Sequence, residues 1–231
     1  NNTFDNVTRG LTNTENMTNM TVTGNTFDGV SNGISIGGGA SFAAAISGNT
    51  FENGLDRYLS NYETTLVLDY PALFAANTFD LAAGLNDESA GGFKEGIYVS
   101  IQDAIDDAND GDVIDVAAGT YNGNLTIDKN ISLIGLDAAT TILDGDDAGS
   151  ELGTIHVTPG RNGFTIKGFH IKGIDDVNPA IEKAAIYFQN AQNNITVEDN
   201  IIEARGEAAL LGNWNAALNG MLFSMLSVII F

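Results

Sequence analysis

Residues 20–29, MTVTGNTFDG, recur 24 positions later as residues 44–53, AAISGNTFEN. The tripeptide Asn-Thr-Phe that they share occurs four times, and an acidic residue follows every copy. The four copies begin at Asn2, Asn25, Asn49 and Asn77. The phenylalanines are spaced by 27 − 4 = 23, 51 − 27 = 24 and 79 − 51 = 28 residues. A repeat of this length predicts an array of stacked coils.

Apolar and polar residues alternate around each copy of the tripeptide, which indicates short β-strands. Strands that recur once per coil stack about 4.8 Å apart, so equivalent side chains form ladders along the axis. We therefore expect the four phenylalanines to stack in the interior. We expect the four asparagines to form a ladder at a turn, where asparagine tolerates left-handed backbone and its amide can bond to the next coil.

The composition limits the classes of function. The chain has 231 residues and no cysteine, so it has room for one or two domains and no disulfide or thiolate metal site. Its 30 acidic and 9 basic residues give a formal charge of −21, which repels the phosphates of nucleic acids. We expect a secreted or cell-surface protein, bacterial in type, with no nucleic-acid partner.

Both ends of the chain are unusual. Residue 1 lies inside a coil motif, and residues 221–231, MLFSMLSVIIF, are nearly all apolar. This run is shorter than the roughly 20 residues that a transmembrane helix needs, so we expect no membrane-spanning helix. We expect a segment of a longer protein, with self-association through 221–231 or through open coil ends as a candidate property.

The repeat fades over residues 55–95, which predicts a closing coil followed by a linker. Ser100 then begins a predicted amphipathic helix over about 100–109, with an apolar face at i, i+3, i+4 and i+7 and a cap that involves Asp103. Strand-like runs follow the helix. The sequence therefore predicts two domains, the last coils of one solenoid at 1–92 and the capped start of a second at 93–231.

A second repeat lies in the later half. Residues 154–157, 164–166 and 171 match 185–188, 195–197 and 202 at an offset of 31. A repeated apolar spacing of this kind predicts that these segments are equivalent strands of adjacent coils.

Residues 99–121, VSIQDAIDDANDGDVIDVAAGTY, and 125–135, LTIDKNISLIG, resemble the opening of right-handed parallel β-helix domains of the pectin-lyase-like superfamily. The resemblance implies that the short helix covers the first coil of an all-β, right-handed parallel β-helix, or β-solenoid. It implies little about activity, because the superfamily includes lyases, hydrolases, epimerases, phage tailspikes and non-catalytic surface proteins.

A cluster of basic residues is the first candidate site. Five of the few cationic side chains lie within 17 residues of each other: His156, Arg161, Lys167, His170 and Lys172. A polysaccharide lyase needs a base and a cation that neutralises the uronate, and these residues could supply both. The offset of 31 also places Lys167 beside Glu198 and Lys172 beside Glu203, which favours ion pairs between adjacent coils.

Acidic residues supply the other candidates. Asp175 and Asp176 follow His170 and are the nearest match to the paired carboxylates of a glycoside hydrolase. We regard no cofactor as required, and Ca²⁺ is the candidate ion because carboxylates suit it. The residues proposed to hold it are Asp144, Asp146 and Asp147.

Aromatic side chains could stack on sugars, and the candidates are Tyr58, Tyr62, Tyr187 and Trp214. The first functional hypothesis is an extracellular or cell-surface solenoid that acts as a structural, adhesive or glycan-binding module. The alternatives are an enzyme that acts on acidic polysaccharide, as lyase, epimerase or hydrolase, and a self-assembling fibre segment.

Overall fold

The computed structural model describes residues 1–13, 20–37, 45–62, 68–86, 95–145, 152–174, 183–190, 192–205, 208–212, 218–219 and 222–230. Within these ranges the regular structure is mostly β-strand with two short helices, so the predicted all-β class is confirmed. The chain forms two compact units, residues 1–117 and 118–231, and each is described by itself. None of the described helices has the length and apolar composition needed to cross a membrane.

The first unit contains twelve described strands and both helices. The strands are β1 (Thr3–Asp5), β2 (Arg9–Thr12), β3 (Thr21–Thr23), β4 (Thr26–Asp28), β5 (Asn32–Ile36), β6 (Ala45–Ser47), β7 (Thr50–Glu52), β8 (Arg57–Asn61), β9 (Thr78–Phe79), β10 (Ala83–Asn86), β11 (Glu95–Tyr98) and β12 (Val113–Val116). The helices are α1 (Tyr70–Ala76) and α2 (Ile101–Asp107).

Parallel ladders stack the coils of this unit. β1, β4, β7 and β9 form one ladder, β3 and β6 form a second, and β2, β5 and β8 form a third. The register pairs Phe4 with Phe27, Phe27 with Phe51 and Phe51 with Phe79. Each copy of the repeated tripeptide therefore occupies the same place in its own coil.

The phenylalanines form the predicted interior stack. Neighbouring ring centroids are 4.8, 4.8 and 4.7 Å apart, and the planes of each pair lie within 8° of parallel. Phe27 and Phe51 are buried. Phe74 of α1 packs edge-on against Phe79 at 5.6 Å, so the helix covers this end of the stack.

The asparagines form the predicted ladder, in which each side-chain oxygen accepts from the coil before it. The backbone N and Nδ2 of Asn2 donate to Oδ1 of Asn25, and the same pattern links Asn25 to Asn49 and Asn49 to Asn77. The prediction of left-handed backbone at these asparagines is wrong. The positive φ angles fall on the preceding glycines, +67° at Gly24 and +64° at Gly48, because glycine adopts this conformation without steric cost.

Antiparallel strands follow the stacked coils. β11 pairs with β8, β10 pairs with β11, and β12 pairs with β10, all antiparallel. The sheet is therefore mixed, whereas the sequence predicts only a closing coil and a linker over 55–95. β10 and β11 could not be predicted from the repeat, because the sequence of neither strand matches the repeated motif.

The two helices have clear capping signals. Oγ of Ser100 accepts from the backbone N of Asp103 at 3.3 Å, and the apolar residues of the first turns of α2 are buried, as predicted. α2 ends at Asp107, two residues before the predicted end. α1 is not among the elements predicted above, although Asp69 caps it by accepting from the backbone N of Ala72 and Pro71 occupies its first turn.

The second unit consists of parallel strands. They are β13 (Gly119–Asn122), β14 (Leu125–Ile127), β15 (Ser132–Gly135), β16 (Thr141–Asp144), β17 (Gly153–Val157), β18 (Thr165–Lys167), β19 (His170–Lys172), β20 (Ala184–Phe188), β21 (Gln192–Asn193), β22 (Thr196–Ala204), β23 (Ala208–Gly212), β24 (Leu218–Asn219) and β25 (Leu222–Ile230). β14, β17, β20 and β23 form one ladder. β18 and β19 both pair with β22, which in turn pairs with β25.

The offset of 31 is confirmed where the sequence predicts it. Ile155 pairs with Ile186, Ile166 with Val197, and Ile171 with Ile202. The preceding coil has a different length at β16. Leu143 of β16 pairs with Ile171 of β19 at an offset of 171 − 143 = 28, which is shorter than the offset of 31. This difference decides the charge pairing described below.

Candidate functional site

One row of charged side chains crosses three adjacent strands of the second unit. Asp144 of β16, Lys172 of β19 and Glu203 of β22 share a register position. Alternate residues of a strand point to the same face, so His170 joins this row from β19 and Arg205 extends it beyond β22. We call these five residues the charged ladder: Asp144, His170, Lys172, Glu203 and Arg205.

Three ion pairs and one histidine–carboxylate contact link the side chains of the charged ladder. Nζ of Lys172 lies 3.0 Å from Oδ2 of Asp144, and Nη1 of Arg205 lies 2.7 Å from Oδ1 of the same carboxylate. Nε of Arg205 lies 2.8 Å from Oε1 of Glu203. Nε2 of His170 lies 3.3 Å from Oε2 of Glu203. Arg205 thus bridges the two carboxylates, Lys172 is the second cation at Asp144, and the imidazole of His170 is the second neighbour of Glu203.

The contacts shift the protonation equilibria of the ladder. Burial alone would raise the pKa of Asp144, but the bonds from Lys172 and Arg205 outweigh it and hold that pKa below its ordinary value. The hydrogen bond from Arg205 lowers the pKa of Glu203. The same bond raises the pKa of Arg205. All three groups are therefore held in their charged forms.

The predicted ion pairs are confirmed in one case and wrong in the other. Nζ of Lys167 lies 4.0 Å from Oε1 of Glu198, and the two residues are register partners. Lys172 is also the register partner of Glu203, yet its ammonium pairs with Asp144 on the other side. An alignment at the offset of 31 does not place Asp144 beside Lys172, because Asp144 lies 28 residues before it.

The other two basic candidates lie away from the charged ladder. His156 belongs to β17, in a different sheet, where its Nε2 lies 2.9 Å from Oε1 of Gln189 and its ring centroid lies 5.4 Å from that of Tyr187. Arg161 follows β17 and donates to the backbone oxygens of Asp128 and Pro159. The five basic residues of the predicted site therefore do not meet in one place.

The acidic candidates fall partly outside the described residues. Asp146, Asp147, Asp175 and Asp176 lie outside them, and Asp144 is bound by two cations. Within the described ranges, no group of three or more histidine, aspartate or glutamate side chains is arranged to hold a metal ion.

The aromatic candidates differ in exposure. Tyr58 and Tyr187 are buried, and Trp214 lies outside the described residues. Tyr62 is 42% exposed and borders a hollow of about 310 Å³ in the first unit. The hollow is also lined by Arg9, Thr12, Asn13, Asn32 and Ser35. We call it the Tyr62 hollow.

The stacked strands position the lining of the Tyr62 hollow. Arg9 of β2 pairs with Asn32 of β5, and Thr12 pairs with Ser35 in the same two strands. Nδ2 of Asn32 donates to Oγ of Ser60 at 3.0 Å in the next strand, which fixes its side chain. Tyr62 was a predicted candidate, but the polar residues beside it were not predicted, because their pairing depends on the coil lengths.

No family model matches the chain, and no curated protein or solved structure shows significant similarity to it.

The charged ladder makes a prediction about acid stability. Because Asp144 and Glu203 have lowered pKa values in the folded protein, their contribution is complete above their ordinary values of 3.8 and 4.5 and is lost as the pH falls below them. We expect Asp144→Asn to lower the free energy of unfolding at pH 7 by about 1–3 kcal/mol, since Lys172 and Arg205 lose an ionised acceptor. Urea unfolding at a series of pH values measures both effects.

Asp128→Asn is the matched control, because it makes the same change of charge at an exposed carboxylate of the same unit. We expect the control to change stability by less than about 0.5 kcal/mol. The loss of stability between pH 5 and pH 3 should be smaller in Asp144→Asn than in the wild type. Equal values for the two variants at pH 7 would refute the ion pairs.

Proposed function

We propose that the chain is a module of an extracellular or cell-surface β-solenoid, of the right-handed parallel β-helix type, with a structural and adhesive function. The resemblance of residues 99–135 to the capped start of pectin-lyase-like domains supports the fold assignment, as do the parallel coils of both units. The acidic composition favours a location outside the cell.

The pairing in the charged ladder is the observation that carries the proposal. A lyase or epimerase needs a base and a cation that are available to the substrate when it binds. Here Lys172 and Arg205 bind Asp144, and His170 and Arg205 contact Glu203. A substrate carboxylate would have to displace a protein carboxylate from each cation, whereas cross-coil pairing gives these residues a role in stability.

An assay of turnover on acidic polysaccharides tests the proposal. We expect that incubation with polygalacturonate and with alginate releases no unsaturated uronate and no new reducing ends, with and without added Ca²⁺. Turnover that His170→Gln or Lys172→Gln abolishes would establish the enzyme alternative and refute the structural proposal. Circular dichroism of both variants would distinguish loss of a catalytic group from loss of the fold.

A further inference from the structure

The Tyr62 hollow contains Arg9, a cation that has no counter-ion among the residues that the structure describes. Among the residues that the structure describes, Arg9 makes no ion pair and no hydrogen bond through its guanidinium, although Arg57, Lys167, Lys172 and Arg205 all contact carboxylates. Among the described residues that line the hollow, none is an aspartate or a glutamate. In a chain with 30 acidic residues, this local composition is unusual.

We propose that the Tyr62 hollow binds a saccharide that carries a carboxylate or a sulfate. Arg9 would pair with the anionic group, and the ring of Tyr62 would pack against the apolar face of the sugar. The inference rests on the adhesive function proposed above, since an adhesive module needs a ligand, and it names the site and the ligand class.

The charge of the Arg9 guanidinium favours an anion, and its planar set of donors favours a carboxylate or a sulfate. A guanidinium offers several N–H donors in a fixed plane, which match two oxygens of a carboxylate or sulfate. Carboxylates elsewhere on the protein repel such a ligand, but at physiological ionic strength their field is screened beyond about 8 Å. The described residues that line the hollow carry one positive charge, on Arg9, and no negative charge.

The backbone of Tyr62 is held at the edge of the hollow. Its backbone N donates to the oxygen of Ile36 at 2.8 Å, which fixes the residue at the end of β8. Gly37 lies beside it, and a Cβ there would come within 3.8 Å of Cβ of Tyr62 and 3.3 Å of the oxygen of Asn13. The absence of a side chain at Gly37 keeps this part of the hollow open.

The rest of the lining suits the hydroxyl groups of a sugar. Thr12 and Ser35 offer hydroxyls that both donate and accept, and Asn32 offers an amide. A few polar groups beside one aromatic surface are typical of small-molecule sites, and a volume of about 310 Å³ lies at the lower end of their usual range of roughly 300–1,000 Å³.

Binding to matched saccharides tests the inference. Calorimetric titrations would use lactose, 3′-sialyllactose and 3′-sulfolactose, and galactotetraose with tetragalacturonate, at fixed ionic strength. We expect the wild type to bind at least one anionic member at least 10-fold more tightly than its neutral counterpart. The comparison of sialyllactose with sulfolactose shows whether carboxylate or sulfate is preferred.

Two variants separate the roles of the residues. Arg9→Gln should weaken binding of the anionic saccharide by about 10- to 100-fold and leave the neutral one unchanged, because only the charged contact is lost. Tyr62→Ala should weaken both. Arg161→Gln, which removes one positive charge in the other unit, is the matched control and should bind like the wild type.

The outcomes are distinct. Equal binding by Arg9→Gln and the wild type, equal affinity for neutral and anionic members, or no binding to any member would overturn the inference. Turnover of a bound saccharide would instead contradict the proposed non-catalytic function and leave the binding site in place. Circular dichroism of each variant would show that the fold is retained.

Discussion

Replacing Phe27 with alanine is expected to lower the free energy of unfolding by about 3–5 kcal/mol. The side chain is fully buried, and its ring lies between Phe4 and Phe51, 4.8 Å from each. The substitution removes the transfer free energy of the ring and leaves a cavity that the rigid coil spacing prevents from closing. It also removes two aromatic contacts, each worth about 0.5–1.5 kcal/mol. Urea unfolding followed by circular dichroism measures the loss.

Phe4→Ala provides the matched comparison. Phe4 is the end of the stack, it is only partly buried, and it contacts one ring of the stack instead of two. We expect it to lose less than half as much stability as Phe27→Ala. Hydrogen exchange should locate the larger effect of Phe27→Ala in residues 20–37 and 45–62. Equal losses for the two variants would contradict the idea that the stack acts as a continuous core.

The repeating parts of the fold were predictable from the sequence. Equivalent positions of successive coils have the same environment, so the same residue types recur there. Phe27 is followed by Phe51, and Asn25 by Asn49. The antiparallel strands β10 and β11 and the helix α1 occur once, and no second copy is available for alignment. α1 had a local signal in Asp69 and Pro71, but its seven residues are too few for the apolar period to be recognised.

The candidate sites were less predictable, because they depend on differences between coils. An alignment at one offset placed Lys172 beside Glu203 but could not show that a shorter coil brings Asp144 within 3.0 Å. Arg205 had a signal, since it lies two residues after Glu203 and alternate residues share a face. Tyr58 and Tyr62 are similar in sequence terms, yet one is buried and the other is 42% exposed. The exposure of an aromatic residue depends on the whole coil.

The second large effect is expected from Asn49→Ala in the asparagine ladder. Asn49 is 1% exposed, and its Oδ1 accepts from the backbone N and Nδ2 of Asn25 at 3.0 and 3.1 Å. Its Nδ2 donates to the oxygen of Val22 at 2.8 Å and to Oδ1 of Asn77 at 2.9 Å. Alanine leaves these buried groups without partners, and one such group costs about 1–3 kcal/mol. We expect a loss of about 3 kcal/mol in the free energy of unfolding.

Two further variants separate hydrogen bonding from packing. Asn2→Ala removes an exposed asparagine at the end of the ladder, where only its own Nδ2 bond to Asn25 is lost, so we expect about 1 kcal/mol. Asn49→Asp keeps the shape but places a carboxylate against Oδ1 of Asn77. Burial and this acceptor favour the protonated acid, so Asn49→Asp should be more destabilised, relative to the wild type, at pH 7 than at pH 3. Two results together would contradict this role for the hydrogen bonds: a loss of stability in Asn49→Asp that is the same at pH 7 and pH 3, and equal losses for Asn2→Ala and Asn49→Ala. They would show that the asparagine side chains contribute packing only.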